Sequence, residues 1–300
     1  MFLRSFDELY SKVKGMPKKC VAVAAAHHEN VLDAVLHAAG ENVIDYLLIG
    51  DCGKVKEIGA GMGYDIDSSL IVASPDDTES AKAAVSLVRE GKADFIMKGK
   101  LDTGVLMRAV LDSERGLRTS RAISTTAIHQ VPAYHKLLTI ADGGMIPYPT
   151  LEQKMDIIRN AVELHWKLGY KTPKVAILAA NEKVSEKMPE TVDALKIKEA
   201  AEKGEFGNCI VDGPLSLDLA ISRESAEIKG IISPVNADVD ILITPNIASG
   251  NIFSKSLYLL AGAKMAGCMT GARVPIVLTS RGASAEEKLY SIILSAAVVD

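Results

Sequence analysis

Short apolar runs alternate with longer amphipathic segments along most of the chain. In the first hundred residues, the apolar runs at 21–26, 46–50, 70–73 and 95–99 predict buried strands, and the segments between them have helical spacing. Ser74 and Pro75 have the residue types preferred at a helix N-cap and first helical position, so they predict the start of a helix that continues to Glu90. Alternating strands and helices are typical of a parallel α/β sheet.

The middle of the chain departs from this alternation and then returns to it. Residues 122–131 and 134–142 predict two strands joined as a hairpin, and the turn-rich residues 143–149 predict a crossing between domains. Thr150 and Gln153 have the spacing of a capping box for a helix that reaches Leu168. A second series follows, with predicted strands at 174–180, 208–213, 240–245 and 274–280 and predicted helices at 190–203, 252–262 and from Ser284 onward.

Composition narrows the class of protein. The chain has 300 residues, of which 48% are hydrophobic, and its net charge is −4. A single core stops growing near about 250–300 residues, so two domains are expected. The charge disfavours a nucleic-acid binder. No apolar run approaches the roughly 18 residues that span a bilayer, and the N-terminus lacks a signal-peptide pattern, so we expect a cytoplasmic protein that does not bind membranes.

Several common cofactor and metal motifs are absent from the sequence. It contains no GxxxxGK[ST], no HExxH and no GxSxG. The glycines at 59–63 end a predicted helix, whereas a dinucleotide motif would open one after a strand. His27 and His28 are interpreted as loop or helix-start residues. The four cysteines form no CxxC pair and are expected to be reduced. We therefore expect no metal and no cofactor.

Four segments at the ends of predicted strands combine small residues with polar or charged ones. They are 97–104, 211–218, 244–251 and 279–287. Ligands of open α/β sheets bind outside the carboxyl ends of the strands, and the N-terminus of the following helix favours phosphate. Arg281 falls in such a strand-to-helix loop, where a guanidinium can bind a phosphate or carboxylate.

The same residues also fit purely structural roles. Ser284 and Glu287 have the S-x-x-E spacing of a capping box, so Glu287 could serve the helix alone. Lys98 and Lys100 could form a solvated basic loop, and Ser249 or Asn251 could be an ordinary N-cap.

Long segments of the chain resemble the phosphate acetyl/butyryltransferase family. The resemblance covers nearly the whole chain and is carried by residues 96–111, 141–162, 211–222, 244–257 and 274–292, in this order. The MKGKLDTG loop, the TSR-x-x-S-x-E-E-K segment and the short length resemble the butyryl branch more than the acetyl branch. The resemblance implies reversible transfer of a short acyl group between coenzyme A and inorganic phosphate. Its substrates would be acyl-CoA, phosphate and acyl phosphate, with no metal or redox cofactor.

The resemblance also implies an architecture. It predicts two α/β domains with mainly parallel sheets and an active-site cleft between them, as in isocitrate and isopropylmalate dehydrogenases. Residues 1–142 plus 268–300 would form the first domain and residues 143–267 the second. The family is oligomeric and the predicted helix 252–262 is apolar along much of its length, so a homo-oligomer of at least two subunits is expected.

Candidate catalytic residues follow from the matched motifs. The resemblance implies that Ser280 and Arg281 act as a catalytic pair, and that Arg108 is an arginine on the phosphate or acyl side. The family's base, an aspartate in the acetyl branch, falls on Glu287, which is one methylene longer. Substrate-binding positions implied by the same loops are Lys98, Gly99, Lys100, Thr103, Ser249, Gly250 and Asn251.

Three alternatives remain open from the sequence. The first is a phosphate acetyltransferase, which would differ only in the acyl pocket. The second is a metal- and NAD-dependent decarboxylating dehydrogenase, for which Asp212, Asp218, Asp238 and Asp240 are candidate ligands. The third is a non-catalytic acyl-CoA-binding protein. No single residue marks the preferred acyl chain.

Overall fold

The computed structural model describes residues 2–280 and 282–300. From Phe6 to Arg121, strands and helices alternate in the order α1 (Phe6–Lys14), β1 (Lys19–Ala24), α2 (Glu29–Gly40), β2 (Ile44–Gly50), α3 (Cys52–Gly61), a 3-10 turn (Ser68–Leu70), β3 (Ile71–Ala73), α4 (Asp77–Arg89), β4 (Phe95–Lys98) and α5 (Thr103–Val110). These elements confirm the strands and helices predicted for this region, with small differences at their ends.

The rest of the chain forms a hairpin and then a second strand–helix series. Its elements are β5 (Ser124–Gln130), β6 (Leu138–Ala141), α6 (Leu151–Lys167), β7 (Lys174–Leu178), α7 (Pro189–Glu202), β8 (Ile210–Leu215), α8 (Leu217–Ile221), α9 (Arg223–Lys229), β9 (Ile241–Ile243), α10 (Ile247–Leu260), β10 (Lys264–Thr270), β11 (Ile276–Val277) and α11 (Ala285–Val298). The hairpin is confirmed, because β5 and β6 are antiparallel neighbours.

The chain divides into two compact units. The terminal unit contains Phe6–Arg121 and Ala266–Asp300, and the central unit contains the residues through Ser5 together with Ala122–Met265. The predicted domains differ from these units mainly in residues 122–142, which the sequence pattern places in the first domain. They belong to the central unit because β6 pairs in parallel with β9. The chain therefore crosses between units at Arg121–Ala122 and not within 143–149.

The terminal unit contains a mostly parallel sheet. Its strand order is β3-β2-β1-β4-β11-β10, and among these neighbours only β10 and β11 are antiparallel. α11 is buried along most of its length and packs against α1 and α2. Phe6 of α1 stacks on Tyr290 of α11 with ring centroids 4.6 Å apart.

The strands of the central unit are mostly parallel and have the order β5-β6-β9-β7-β8, in which β5 is antiparallel to β6. Alternate residues of its strands face opposite sides, as the period of a strand requires. Ile177 and Ile241 pack in a cluster with residues of α6 and α7. Ala176, Leu178 and Leu242 pack in another cluster that includes α8. Both faces of the sheet are therefore covered, which explains why its strands are continuously apolar.

Two predicted helix starts are wrong. α4 is capped by Asp76, whose carboxylate accepts the N–H of Glu79 at 2.9 Å, and not by Ser74. α10 begins at Ile247, five residues before the predicted start at 252, because Asn246 and Ser249 form a capping box. The capping box predicted for α6 at Thr150 and Gln153 is confirmed.

The sequence pattern predicts no strand where β10 lies. Its sequence, KMAGCMT, is rich in small residues and contains no valine or isoleucine, so its strand propensity is low. No helix among the described residues is long and apolar enough to cross a bilayer.

Candidate functional site

A cavity of about 430 Å³ lies at the carboxyl ends of β1, β4 and β11 in the terminal unit. Four of the predicted site residues contribute to its lining, namely Lys98, Gly99, Lys100 and Ser280. These residues come from two loops separated by about 180 positions in the sequence. The structure therefore brings together two of the four predicted strand-end segments.

The cavity occupies the topological switch point of this sheet. β1 and β4 are neighbours, but the chain runs from β1 outward to β2 and β3 on one side and then returns to β4 on the other. Ligands of open α/β sheets bind at such a point. The N-terminal ends of α2, α4, α5 and α11 surround the cavity, since His28, Asp77, Asp102 and Lys288 line it. Helix N-termini carry a partial positive charge, which favours an anion.

The loop after β4 requires glycine at position 99. The N–H of Gly99 donates to the Ala24 carbonyl at 2.8 Å, and the N–H of Lys100 donates to the Ala25 carbonyl at 2.9 Å. A Cβ added to Gly99 would lie 2.2 Å from the Ala25 carbonyl oxygen. Only glycine permits this approach, which holds the lysine loop against the end of β1.

The two lysines of this loop have different surroundings. Lys98 is buried, and its Nζ donates to the carbonyl of Leu101 at 3.1 Å, so the loop wraps around its own ammonium group. Lys100 is exposed at the cavity lining. Lys98 thus orders the loop, whereas the Lys100 side chain has no hydrogen bond or ion pair within the described part of the chain and can reach a ligand.

Ser280 is exposed and lies in the turn between β11 and α11. Its carbonyl accepts the N–H of Ala283 at 3.1 Å, which closes the turn ahead of the N-cap Ser284. Ser280 is one of the residues that line the cavity. Arg281, its predicted catalytic partner, lies outside the described residues.

Glu287 is buried in the first turn of α11. Its backbone N–H donates to the Ser284 hydroxyl at 3.0 Å, but the reciprocal bond from the Ser284 amide to the Glu287 carboxylate is not formed. The cap therefore depends on the Glu287 backbone and not on its side chain. Burial raises the pKa of the Glu287 carboxyl, an effect that the charge of Lys288 partly offsets. Glu287 is not among the residues that line the cavity, although its neighbour Lys288 is. A buried carboxyl with a raised pKa is a candidate general base.

Arg108 and Thr103 do not line the cavity that contains Ser280. Arg108 lines a separate groove of about 810 Å³ between α4 and α5. Its Nη1 lies 3.6 Å from the position that a Cβ on Gly104 would take, so the guanidinium lies over the first turn of its own helix. Thr103 is the exposed first residue of α5, next to its N-cap Asp102.

Ser249, Gly250 and Asn251 belong to the first turn of α10 in the central unit. Ser249 forms the capping box with Asn246 and is not itself the N-cap. A Cβ on Gly250 would lie 2.6 Å from the Asp142 carbonyl oxygen, and the Asn251 amide donates to the Gly143 carbonyl at 3.1 Å. These contacts fix α10 against the loop after β6.

That loop is organised by one buried carboxylate. Asp142 is 3% exposed, and its two oxygens accept N–H groups from Thr125, Gly144, Met145 and Ile146 at 2.7–3.2 Å. The turn-rich residues 143–149 therefore follow a fixed path beside the start of α10.

Among the lining residues that were not predicted as site residues, two have basic side chains, His28 and Lys288. His28 is the N-cap residue of α2, which confirms its interpretation as a helix-start residue, but its ring also lines the cavity. Its Nδ1 is buried and has no hydrogen-bond partner among the described residues. Burial, and then the charges of Lys100 and Lys288, lower the pKa of His28. Lys288 is 4% exposed and donates to the Ala283 carbonyl.

The sequence contains a feature that could have identified Lys288 as a candidate site residue. It is a lysine in the first turn of a predicted helix, where the helix dipole disfavours a cation. His28 offered no comparable signal, because histidine at a helix start is unremarkable without the neighbouring loops.

The aspartates considered for a divalent cation are instead paired with lysines. Asp212 pairs with Lys198 at 2.7 Å, and Asp218 pairs with Lys229 at 2.9 Å. Lys136 pairs with both Asp238 and Asp240 at 2.8 and 2.6 Å. Within the described part of the chain, no three His, Cys, Asp or Glu side chains are grouped so as to hold a metal ion.

The chain is similar to known proteins along nearly its whole length. The family model described as "Phosphate acetyl/butaryl transferase" matches residues 76–296. The phosphate butyryltransferase of Clostridium acetobutylicum is 40% identical over 296 residues, covering 99% of this chain and 98% of that protein. The phosphate acetyltransferase of Thermotoga maritima is 42% identical over 296 residues, covering 99% of both. The crystal structure of a branched-chain phosphotransacylase from Enterococcus faecalis V583 superposes with a TM-score of 0.81 at 34% identity, covering 93% of this chain and 99% of that one.

Proposed function

The chain belongs to the phosphate acetyl/butaryl transferase family, and on this premise we propose that it is a phosphate butyryltransferase. It would catalyse the reversible reaction of butanoyl-CoA with inorganic phosphate to give butanoyl phosphate and CoA. The observation that carries the proposal is the full-length similarity to relatives named for this activity, at 37–41% identity. The cavity at the switch point supports it, because it combines lysines, a serine and helix N-termini suited to phosphate.

The reaction requires placement of two substrates and stabilisation of charge. A phosphate oxygen attacks the thioester carbonyl carbon, the C–S bond breaks, and the thiolate of CoA leaves and takes up a proton. Arg281 binds phosphate oxygens in a bidentate manner and stabilises the negative charge that develops on the carbonyl oxygen. Ser280, beside it in sequence and exposed at the cavity lining, donates to that oxygen or to the sulfur.

Glu287 is the general base of the reverse direction. There the CoA thiol must lose its proton before the sulfur attacks the acyl phosphate. The carboxyl is buried and its pKa is raised, so it accepts a proton more readily than an ordinary glutamate. Its side chain is not required for the helix cap, which leaves it available for this role.

Direct transfer between the two bound substrates is the proposed route. An acyl-enzyme route would need a reactive thiolate. Burial raises the pKa of Cys20 and Cys209 to about 11 and that of Cys268 to about 12, so these thiols stay protonated near neutral pH.

The remaining site assignments are part of the same proposal. Arg108 and Thr103 would contact substrate from α5, and Ser249, Gly250 and Asn251 from α10. The active site would lie in an inter-domain cleft of the isocitrate and isopropylmalate dehydrogenase type. The enzyme would work in the cytoplasm without metal or redox cofactor.

The test is a thiol-release assay with a series of acyl-CoAs. We expect phosphate-dependent release of CoA from butyryl-CoA in the presence of EDTA and without NAD. Activity that disappears with EDTA or depends on NAD would refute the proposal and favour the dehydrogenase alternative. Binding of acyl-CoA with no thiol release would favour a non-catalytic binding protein.

Phosphate acetyltransferase is the second candidate, because the Thermotoga maritima relative with that name is 42% identical. The series of acyl-CoAs distinguishes the butyryltransferase from the acetyltransferase. Each methylene bound in an apolar pocket contributes about 1–3 kcal/mol to the difference in transition-state binding between two substrates. The kcat/KM of a butyryltransferase should therefore be higher for butyryl-CoA than for acetyl-CoA by tens-fold or more. A kcat/KM that is higher for acetyl-CoA would assign the protein to the acetyl branch.

A further inference from the structure

The ammonium group of Lys288 is buried where elementary electrostatics disfavours it. The side chain is 4% exposed and belongs to the first turn of α11, which begins at Ala285. A helix N-terminus carries a partial positive charge, and burial removes the solvation of an ammonium ion. Both effects oppose a lysine at this position unless an anion shares its surroundings.

Few groups among the described residues offset the unfavourable burial of the Lys288 ammonium group. Nζ donates to the Ala283 carbonyl, which uses one of its three donors. Among residues 2–280 and 282–300, no carboxylate forms an ion pair with Lys288, although the charge of Glu287 acts on it at longer range. At least one donor is therefore available to a ligand.

The charges around the cavity point to the same conclusion. Lys98, Lys100 and Lys288 line it, against two carboxylates, Asp77 and Asp102. The Asp102 carboxylate already accepts the N–H of Gly104 at 2.9 Å as the N-cap of α5. The cavity thus has an excess of positive charge, to which the surrounding helix N-termini add.

We propose that Lys288 is a phosphate-contact residue, whose ammonium group binds a phosphate group of the substrates beside Ser280. A phosphate oxygen would accept from Nζ and complete the coordination that Ala283 begins. The inference rests on the proposed function, because that function supplies the phosphate. The phosphate group belongs either to inorganic phosphate and acyl phosphate or to coenzyme A.

The first test measures binding of inorganic phosphate by calorimetry and by the rise in melting temperature that it causes. Losing a hydrogen bond to a charged group weakens binding by about 10- to 100-fold, and we expect this loss in Lys288→Met. Lys288→Arg, which keeps the charge, should retain most of the affinity. Lys54→Met is the matched control. Lys54 also lies in the first turn of a helix of the terminal unit, but its side chain is 63% exposed and its Nζ is 3.5 Å from Asp51.

A second variant guards against loss of folding. Lys288→Gln keeps a donor for the Ala283 carbonyl but removes the charge, so its melting temperature without phosphate should match that of the wild type. Phosphate binding should still fall as in Lys288→Met. Unchanged phosphate and CoA binding in a folded Lys288→Gln protein would overturn the proposal.

The source of the phosphate group is identified by a second series with CoA and dephospho-CoA. A raised KM for phosphate with an unchanged KM for acyl-CoA assigns Lys288 to inorganic phosphate. A loss of CoA affinity that dephospho-CoA does not show assigns it to the 3′-phosphate. An inactive wild type that still binds phosphate through Lys288 would refute the proposed function alone. An active enzyme indifferent to Lys288→Gln would refute the phosphate contact alone.

Discussion

At the scale of residues, burial differs between neighbouring side chains at the start of α11 and changes the pKa values of two of them. Ser280 is exposed in the turn before α11, while Glu287 and Lys288 are buried in the first turn of the same helix. Burial raises the pKa of the Glu287 carboxyl and lowers the pKa of the Lys288 ammonium group. Both shifts have the same cause, because burial removes the water that solvates a charged group.

Arg281→Ala should lower kcat strongly and leave the fold intact. The expected loss is about 10²–10³-fold, because one charge-stabilising donor typically contributes this much. Arg281→Lys should recover little activity, since an ammonium cannot reproduce a bidentate contact. Steady-state kinetics with circular dichroism as the folding control provide the measurement. Near-normal turnover of a folded Arg281→Ala protein would show that the catalytic loop has been assigned wrongly.

Glu287→Gln should abolish the base while preserving the helix. The cap uses the backbone N–H of Glu287, which glutamine retains, so thermal stability should not fall. We expect a large loss of kcat in the direction that consumes CoA thiol. If Glu287→Gln remains fully active in that direction, another group accepts the proton.

The wild-type pH profile gives an independent check on Glu287. A base must be deprotonated, and the pKa of Glu287 is raised by burial above its usual 4.5. The rate in the thiol-consuming direction should therefore fall as pH drops through that raised pKa, at a higher pH than for an exposed glutamate. Glu287→Gln should lack this acidic limb. A limb that persists in the variant would belong to a different group.

At the scale of elements, the cavity depends on how the loop after β4 is seated against the end of β1. Two backbone hydrogen bonds, from Gly99 and Lys100 to Ala24 and Ala25, hold it there. Because the contact is between backbones, no side-chain movement can relieve a clash at Gly99.

Gly99→Ala should displace this loop. The added Cβ would lie 2.2 and 2.6 Å from the carbonyl oxygens of Ala25 and Ala24, so the loop must move with its two lysines. We expect the free energy of unfolding to fall by about 1–3 kcal/mol and phosphate affinity to fall with it. Gly40→Ala is the control, because no atom of the described residues beyond the adjacent backbone of α2 lies within 4 Å of its added Cβ. Equal melting temperatures and phosphate affinities for Gly99→Ala and the wild type would contradict the close approach.

At the scale of the whole molecule, α10 presents apolar side chains to solvent in the isolated chain. Ile252, Leu259 and Leu260 are 66%, 69% and 85% exposed, and of the helix's residues only Gly250 is buried. This helix overlaps the predicted apolar helix at 252–262, on which the expectation of an oligomer rests. Exposure of apolar side chains to water is unfavourable in free energy, and an interface between subunits that buries them would remove this penalty.

We expect at least a dimer by light scattering at micromolar concentration. Leu259→Glu should shift the protein towards monomer, because an interface that buries this position would have to bury an unpaired charge. Ile232→Glu is the matched control, since Ile232 is 99% exposed in the same unit but is not part of α10. A monomeric wild type, or equal dissociation by both variants, would count against an interface at α10.

The sequence determined the elements of this protein wherever local physics is decisive. Apolar runs and capping residues gave most strands and helices, including the capping box at Thr150 and the hairpin of β5 and β6. Local rules failed where two residues compete for one role, as with Ser74 and Asp76, and where a strand is built from small residues, as in β10. Motif matching selected Lys98, Gly99, Lys100 and Ser280, which do line one cavity.

Only the tertiary structure decided which loops meet. It placed residues 122–142 in the central unit, because strand pairing with β9 is a long-range contact that no local pattern encodes. It put His28 and Lys288 into the cavity, and it turned Arg108 towards a different groove. It also separated the Glu287 carboxylate from the helix cap that its spacing suggested. The physical reason is common to all four results: burial and charge at a site depend on neighbours that the chain brings together only after it folds.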